Sequence, residues 1–226
     1  MSVLPTVFTN IDGSKTLFRA DIDETYHSRH GAIAESLHVF IKEGLHYYLE
    51  NNNNKNISII EVGFGTGLNA MLSYLETINN NLNLSYQSIE TIPLPYSLVQ
   101  DLQYNNYWSE VDENRFALMH QGNWDEFIEI SNGFKLKKIN ESLLDFKTSD
   151  LFDLVYFDAF GPDKQTELWQ LEVFEKLFSM MNKGAIFVTY ASKGDVRRAL
   201  LAAGFKVEKI AGPPRKRHML RAIKPS

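Results

Sequence analysis

Two short stretches hold most of the residues whose type and spacing could do chemistry. In "IIEVGFGTGLNAM" an acid, Glu61, stands ahead of Gly63, Gly65 and Gly67. Glycine adopts positive φ freely and lets backbone approach a ligand closely, so a turn of this kind can pass beneath a bound molecule. Dinucleotide turns read G-x-G-x-x-G, whereas here the glycines alternate behind a carboxylate. That spacing suits a cationic amino group, such as that of S-adenosylmethionine, better than a pyrophosphate. Glu90 closes the run "LSYQSIE", about twenty residues further on, where a carboxylate would meet two ribose hydroxyls. Asn140, at the end of "FKLKKIN", is placed to reach an adenine edge. In the second stretch, "YFDAFGPDKQTELW", Asp158 ends an apolar run and enters a turn stiffened by Phe160 and Pro162. A carboxylate delivered there would face the same cleft and could orient an amine; an Asp that merely caps the next helix is the plainer alternative.

Parallel strands covered by helices would position these groups. "ISIIEV", "LSYQSIE", "FKLKKIN", "LFDLVYFD" and "AIFVTY" read as strands, the fourth apolar enough to be central. Helical spacing marks "AESLHVFIKEGLHYYLE", "GLNAMLSYLETI", "ELWQLEVFEKLFSMM" and "SKGDVRRALLAAG", with one more helix expected within 104–132. Gly184 reads as a stop after the third of these, and Ser192 with Asp195 as a capping box opening the fourth. "FKVEKI" and "RHMLRAI" are joined too closely for a helical crossover and should pair antiparallel. The expected fold is therefore α/β: a mostly parallel seven-stranded sheet with a C-terminal antiparallel hairpin, the pattern of Rossmann-like methyltransferases. "TLFRADIDETYHSRHGA" adds a small N-terminal β-hairpin. The chain, 1–226, reads as a single domain, with an extension over 1–50 and the core over 57–226.

Composition narrows the classes. The 226 residues are 44% hydrophobic and 23% charged, as in soluble globular proteins. No run approaches the roughly 18 apolar residues of a membrane span, and the N-terminus lacks a signal-peptide pattern, so a cytoplasmic protein with no membrane partner is expected. There is no cysteine, which removes disulfides and thiolate chemistry. His27, His30 and His38 lack a metal spacing, and no metal is expected. A net charge of −5 argues against a wholly basic nucleic-acid binder but leaves room for the local cluster "PPRKRHMLR".

In combination these motifs resemble the methyltransferase domain of the bifunctional tRNA (5-methylaminomethyl-2-thiouridine) biosynthesis proteins, MnmC, and its stand-alone relatives. "GFGTGLN", "IETIPL", "DAFGPDKQTELW", "FVTYASKGDVRRALLAAGF" and "GPPRKRHML" carry the likeness in order, with "ETYHSRHGAIAESLHVFI" ahead of them. The departures are Gln165-Thr166 for Asn-Pro, Asn140 for an acid, and Gly212-Pro213-Pro214 for Gly-Phe-Gly. The resemblance implies S-adenosylmethionine held by Glu61, Gly63, Phe64, Gly65, Thr66, Gly67, Asn69, Glu90 and Asn140. It implies methyl transfer at Asp158 to the 5-aminomethyl group of a wobble (2-thio)uridine in the tRNA anticodon loop. An extruded base would meet Tyr26, Glu35, Phe160, Pro162, Lys164, Trp169 and Tyr190, with Arg197, Arg198, Arg215, Lys216 and Arg217 toward phosphates. For Trp169 a place in the core is the stronger reading, and the Tyr190 reading is evenly balanced. The FAD-dependent oxidase half of the bifunctional proteins has no counterpart among these motifs, so a separate oxidase, or the enzymes that form the aminomethyl group, would be functional partners. A small-molecule methyltransferase or aminopropyltransferase on the same core, and a non-catalytic RNA-binding module, remain open alternatives.

Overall fold

The computed structural model describes residues 4–225. An antiparallel meander comes first: β1 (Thr6–Thr9), β2 (Lys15–Arg19) and β3 (Glu24–Thr25), one strand more than the expected hairpin. One unbroken helix follows, in three parts: α1 (Ala32–Ser36), a π-helical stretch (Leu37–His46) and α2 (Tyr47–Asn51). Gly44 lies where this helix crosses the sheet; a Cβ there would come within 3.1 Å of Tyr156 and Val188. The core continues with β4 (Asn56–Val62), α3 (Leu68–Asn80), β5 (Asn83–Ile89), α4 (Tyr96–Gln100) and α5 (Glu110–Gln121). Then come β6 (Phe127–Ser131), β7 (Phe134–Ile139), β8 (Phe152–Phe157), α6 (Leu171–Ser179) and β9 (Met181–Thr189). The chain closes with α7 (Gly194–Ala202), β10 (Lys206–Ala211) and β11 (His218–Ile223).

The main sheet has the order β10-β11-β9-β8-β4-β5-β7-β6. Its centre, β9-β8-β4-β5-β7, is parallel, and the C-terminal pair is antiparallel as expected. It has eight strands rather than seven because β6 adds an antiparallel edge to β7. Asn132-Gly133, with Gly133 at φ 107, makes the two-residue turn between them, a hairpin signal visible in "ISNGFK". Alternation along the central strands sends Ile57, Ile59, Leu154, Tyr156, Ile186 and Val188 to one face, under the N-terminal helix and α3. Ile60, Val62, Val155, Phe157 and Phe187 face α6 and α7. Burial on both faces is what gives β8 its uninterrupted apolar sequence.

Two local expectations change. α6 ends at Ser179 with Met180 as its cap, and Gly184 sits inside β9 at φ 76, where the β8–β9 register shifts. Its positive φ serves the strand irregularity, not a helix stop. The N-cap of α7 is Lys193 rather than Ser192, and Asp195 pairs with Arg198 one turn on, so no capping box forms.

Candidate active site

The strand order reverses at β4, with β5 on one side and β8 then β9 on the other, so a crevice opens beyond the carboxyl ends of these strands. A cavity of about 610 Å³ lies there, within the range of small-molecule sites. Its floor is the glycine turn. Gly63, Gly65 and Gly67 have φ of 96°, 49° and 72°, all in the region that disfavours side chains. A Cβ on Gly63 would sit 2.7 Å from the carbonyl oxygen of Asp158, so this glycine lets β4 and the end of β8 close together. Glu90, following β5, accepts from the N–H of Gly65 at 3.0 Å and of Ile92 at 2.8 Å. Burial raises its pKa against those two bonds.

α5 supports the turn from beneath. His120 Nε2 donates to the Thr66 carbonyl at 3.1 Å, and Lys138 Nζ donates to the His120 carbonyl at 2.7 Å. Lys138 is buried without a carboxylate partner, between the rings of Trp124 and Phe64. Burial draws its pKa down to about 8, and burial with this neighbouring charge draws His120 down to about 3, so the imidazole stays neutral. His27 braces the other side, between Thr16 at 3.0 Å and Thr66 at 3.4 Å, and burial holds it neutral with a pKa of about 4.

Asp158 follows β8 directly and opens onto the cavity. Asn69, in the first turn of α3, donates to Asp158 Oδ2 at 2.8 Å and to Glu61 Oε1 at 3.0 Å. Burial, reinforced by the charge of Glu35, lifts Asp158 to about 7 against the Asn69 bond and the charge of Lys216. Around it stand Tyr190, whose hydroxyl donates to the Ala159 carbonyl at 2.9 Å, and Phe160, edge-on to Tyr26 at 5.1 Å. Lys216, from the β10–β11 connection, bonds Glu35 at 2.6 Å and lies 4.4 Å from the centre of the Tyr190 ring.

Most of the expected residues thus meet at one cavity: Gly63, Phe64, Gly65, Thr66, Asn69, Glu90 and Asp158, with Tyr26, Glu35, Phe160, Tyr190 and Lys216. Gly67 lies just beneath, against His120. Others do not join them. Glu61 is wholly buried behind the turn, between Asn69 and the Ser88 hydroxyl at 2.6 Å, and does not line the cavity. It falls on the same side of β4 as Ile57 and Ile59, so the pleat sends it inward. Asn140 is exposed outside the lining, its N–H bonded to Asp125 at 3.2 Å. Trp169 is core: it packs on Phe157 and Phe174 and donates to the Phe160 carbonyl at 2.8 Å. Pro162 and Lys164 ride on the outer side of the Asp158 turn, and Arg197 and Arg215 are exposed beyond the cavity.

The lining also contains residues that sequence reasoning missed. Arg19, Glu24, His27 and Arg29 come from the N-terminal meander and the segment after it, and Leu143 and Leu144 from the loop after β7. Only the meander's position over the turn brings the first four there, and no local motif marks them. Five carboxylates line the cavity (Glu24, Glu35, Glu90, Asp158, Glu167) against three fixed cations (Arg19, Arg29, Lys216). That balance favours a ligand with a cationic centre.

Comparison with known proteins settles the class. Residues 127–225 match the family model described as S-adenosyl-L-methionine-dependent methyltransferase. The bifunctional MnmC protein of Methylobacillus flagellatus is 30% identical over 215 residues, 90% of this chain and 33% of that protein. Its counterpart in Pseudoalteromonas atlantica is 32% identical over 95% of this chain and 32% of its own length. The crystal structure of MnmC2 from Aquifex aeolicus superposes with a TM-score of 0.73 at 27% identity, over 98% of this chain and 72% of the other. This chain is an MnmC-like methyltransferase domain. It spans about one third of the length of the curated relatives it matches. The cofactor of the family is S-adenosylmethionine. The site fits it on structural grounds: three positive-φ glycines clear the floor, and Glu90 and Asp158 offer acceptors for hydroxyls and a cation. Asn69 Oδ1 adds a buried acceptor with no partner.

Proposed function

We propose that this domain methylates the 5-aminomethyl group of a wobble uridine, with or without the 2-thio group, in the anticodon loop of tRNA. The named relatives are tRNA 5-methylaminomethyl-2-thiouridine biosynthesis proteins, which supports the substrate class. The observation that carries the reading is the junction of Asp158 with the glycine turn. The Asp158 carbonyl occupies the space cleared by Gly63, and its carboxylate is bonded to Asn69 of the same turn-helix unit.

S-adenosylmethionine, when bound, supplies an electrophilic methyl group on a sulfonium centre. Glu90 would take its ribose hydroxyls, the backbone of Gly63–Gly65 would support it, and Ile92, Leu143 and Leu144, in place of Asn140, would give apolar contact for its base. The acceptor enters on the side of Asp158. An alkylammonium has a reference pKa of about 10.4 and must lose a proton before its nitrogen is nucleophilic. Asp158, lifted to about 7, accepts that proton far better than a solvent-exposed carboxylate would, and its oxygens hold the remaining N–H groups in line. Tyr26, Phe160 and Tyr190 wall the pocket and exclude water. Holding the two reactants in attack geometry contributes up to roughly 7–11 kcal/mol. Lys216, Arg215 and Arg217, on the connection beside the cavity mouth, meet phosphates of the loop. The acceptor amine is made elsewhere, by a separate oxidase or by the enzymes that install the aminomethyl group, and the reaction belongs in the cytoplasm where tRNA is modified.

The test is nucleoside analysis of tRNA bearing 5-aminomethyluridine after incubation with the protein and methyl-labelled S-adenosylmethionine. Label in 5-methylaminomethyluridine is expected. Label confined to free small amines, or cofactor binding with no transfer to tRNA, overturns the reading.

A further inference from the structure

The mechanism leaves one buried titratable group without a task. Glu61 is fully shut from solvent, yet it is joined to Asp158 through a single side chain. Asn69 is 3% exposed, and its amide nitrogen spends both hydrogens on carboxylates, at 3.0 Å on Glu61 and 2.8 Å on Asp158. The other Glu61 oxygen accepts from Ser88 at 2.6 Å. A carboxamide has only two N–H donors, so this arrangement commits Asn69 to the pair. Acids held this close do not titrate independently; charge on one raises the cost of charging the other.

We propose that Asn69 is a positioning residue that couples Glu61 and Asp158 into one acid–base unit, in which Glu61 keeps a proton while Asp158 meets the acceptor ammonium as a carboxylate. This rests on the role given to Asp158 above. In the step it serves, an N–H bond of the ammonium breaks, its electron pair stays on nitrogen, and the proton passes to an Asp158 oxygen. A neutral amine and a carboxylic acid result, and Glu61 holds its own proton throughout. A neutral Glu61 spares the turn a second buried negative charge at the moment Asp158 must carry one.

The surroundings agree with this division. Burial lifts Glu61 to about 8, with the charge of Asp158 adding to the rise against the bonds from Ser88 and Asn69, and lifts Asp158 to about 7. Glu61 is sealed from solvent while Asp158 opens onto the cavity, so Asp158 is the member of the pair placed to carry the charge. Facing Asp158 are Glu35 from the N-terminal helix, which opposes its ionisation, and Lys216 from the β10–β11 connection, which favours it. Tyr190, after β9, also faces Asp158, and burial keeps it neutral. Tyr86 of β5 and Tyr156 of β8 face Glu61, and burial raises both, so neither adds a charge.

Carbon-13 NMR titration of the side-chain carboxyls in cofactor-free protein tests the coupling without substrate, so its failure would leave the methylation reading standing. Asp158 and Glu61 resonances, assigned through Asp158→Asn and Glu61→Gln, are expected to titrate in two linked steps. Asp158→Asn should move the Glu61 step down, and Glu61→Gln should abolish the minor inflection at Asp158 while preserving volume. Asn69→Leu should move both upward by about one to two pH units, through loss of a bond to each charged form. The acid limb of kcat/KM should move with it, whereas a purely structural role would lower the rate at every pH alike. A Glu61 step unmoved by Asp158→Asn overturns the proposal, and so do Asn69→Leu titrations matching wild type. The Asp158→Asn comparison decides the matter even where Asn69→Leu does not fold.

Discussion

The two halves of the cavity are built differently. The half beneath the glycine turn is made of backbone, and its supports are uncharged or buried: Thr66 on neutral His120, and His27 locked between two threonines. The half around Asp158 is made of side chains brought from both ends of the chain, with charges in play at Glu35, Lys216 and Asp158. A cofactor common to many enzymes needs a fixed floor, while an acceptor is recognised and deprotonated by groups that respond to it. Substitutions on the two sides should therefore separate cofactor affinity from transfer.

The largest separation is expected at Asp158. Asp158→Ala should lower kcat on tRNA by about a thousandfold, as loss of a proton acceptor and of orientation would. Cofactor affinity by calorimetry should stay within about tenfold; near-wild-type turnover would remove Asp158 from the chemistry. On the other half, Gly63→Ala must hold a left-handed backbone and place a methyl 2.7 Å from the Asp158 carbonyl. It should weaken cofactor binding by about a hundredfold. Gly184, also at positive φ but with open space around its Cβ position, is the matched control. Gly184→Ala should cost only strain, on the order of 1–2 kcal/mol of stability, and leave binding unchanged.

Next in size is a pH effect that sets the two regions against each other. Glu61 rises from an ordinary 4.5 to about 8, and Asp158 also rises, so the folded state keeps protons that the unfolded chain releases. Their contribution is complete below pH 4 and is lost as pH climbs toward 8. His27 and His120 behave oppositely: held neutral in the fold, they favour it above pH 6.5 and lose that contribution as pH falls toward 4. Denaturant titrations should place maximum stability near pH 5–5.5, where the opposing slopes of the acids and the histidines cancel. A decline of up to about 1.4 kcal/mol per pH unit for each group is expected between 6.5 and 8. Glu61→Gln should flatten that alkaline decline, and an unchanged slope would contradict the buried proton. Lys216→Met, which removes the charge facing Glu35 and Tyr190, should lower kcat/KM for tRNA about five- to tenfold with cofactor affinity unmoved; a loss of cofactor affinity instead would place Lys216 on the other half.

What could be read from sequence follows the same division. The glycine turn, Glu90 and Asp158 each lie within one strand and its following turn, where local patterning determines both conformation and direction. The parallel order and the C-terminal hairpin followed from connection lengths in the same way. Glu35 and Lys216 stand 181 residues apart, and only the resemblance brought them to one site. The resemblance did not reach His27, His120 or Arg19, whose placement depends on where the meander and α5 pack. Glu61 was misdirected for a reason the sequence does contain. Ile57, Ile59 and Glu61 alternate on one face of β4, so period-two geometry aims the acid at the helices rather than across the strand end. The eighth strand was hidden by its short, half-polar "FIEIS", although Asn132-Gly133 announced the turn.

The smallest expected effect decides whether Trp169 belongs to the acceptor half at all. Its ring packs between Phe157 and Phe174 and meets Tyr190 edge-on, while its N–H fixes the Phe160 carbonyl at 2.8 Å. It is only 6% exposed and lies behind the walls that Phe160 and Tyr190 present to the cavity. Trp169→Phe keeps an aromatic ring but leaves that carbonyl without its donor and some of the volume empty. A stability loss of about 1–3 kcal/mol is expected from these two sources. KM for tRNA should change by less than about threefold, because no surface that a base could stack on is altered. If KM instead rose tenfold with stability intact, Trp169 would be part of the pocket, and the acceptor half would extend one layer deeper than the packing of Phe157 and Phe174 allows.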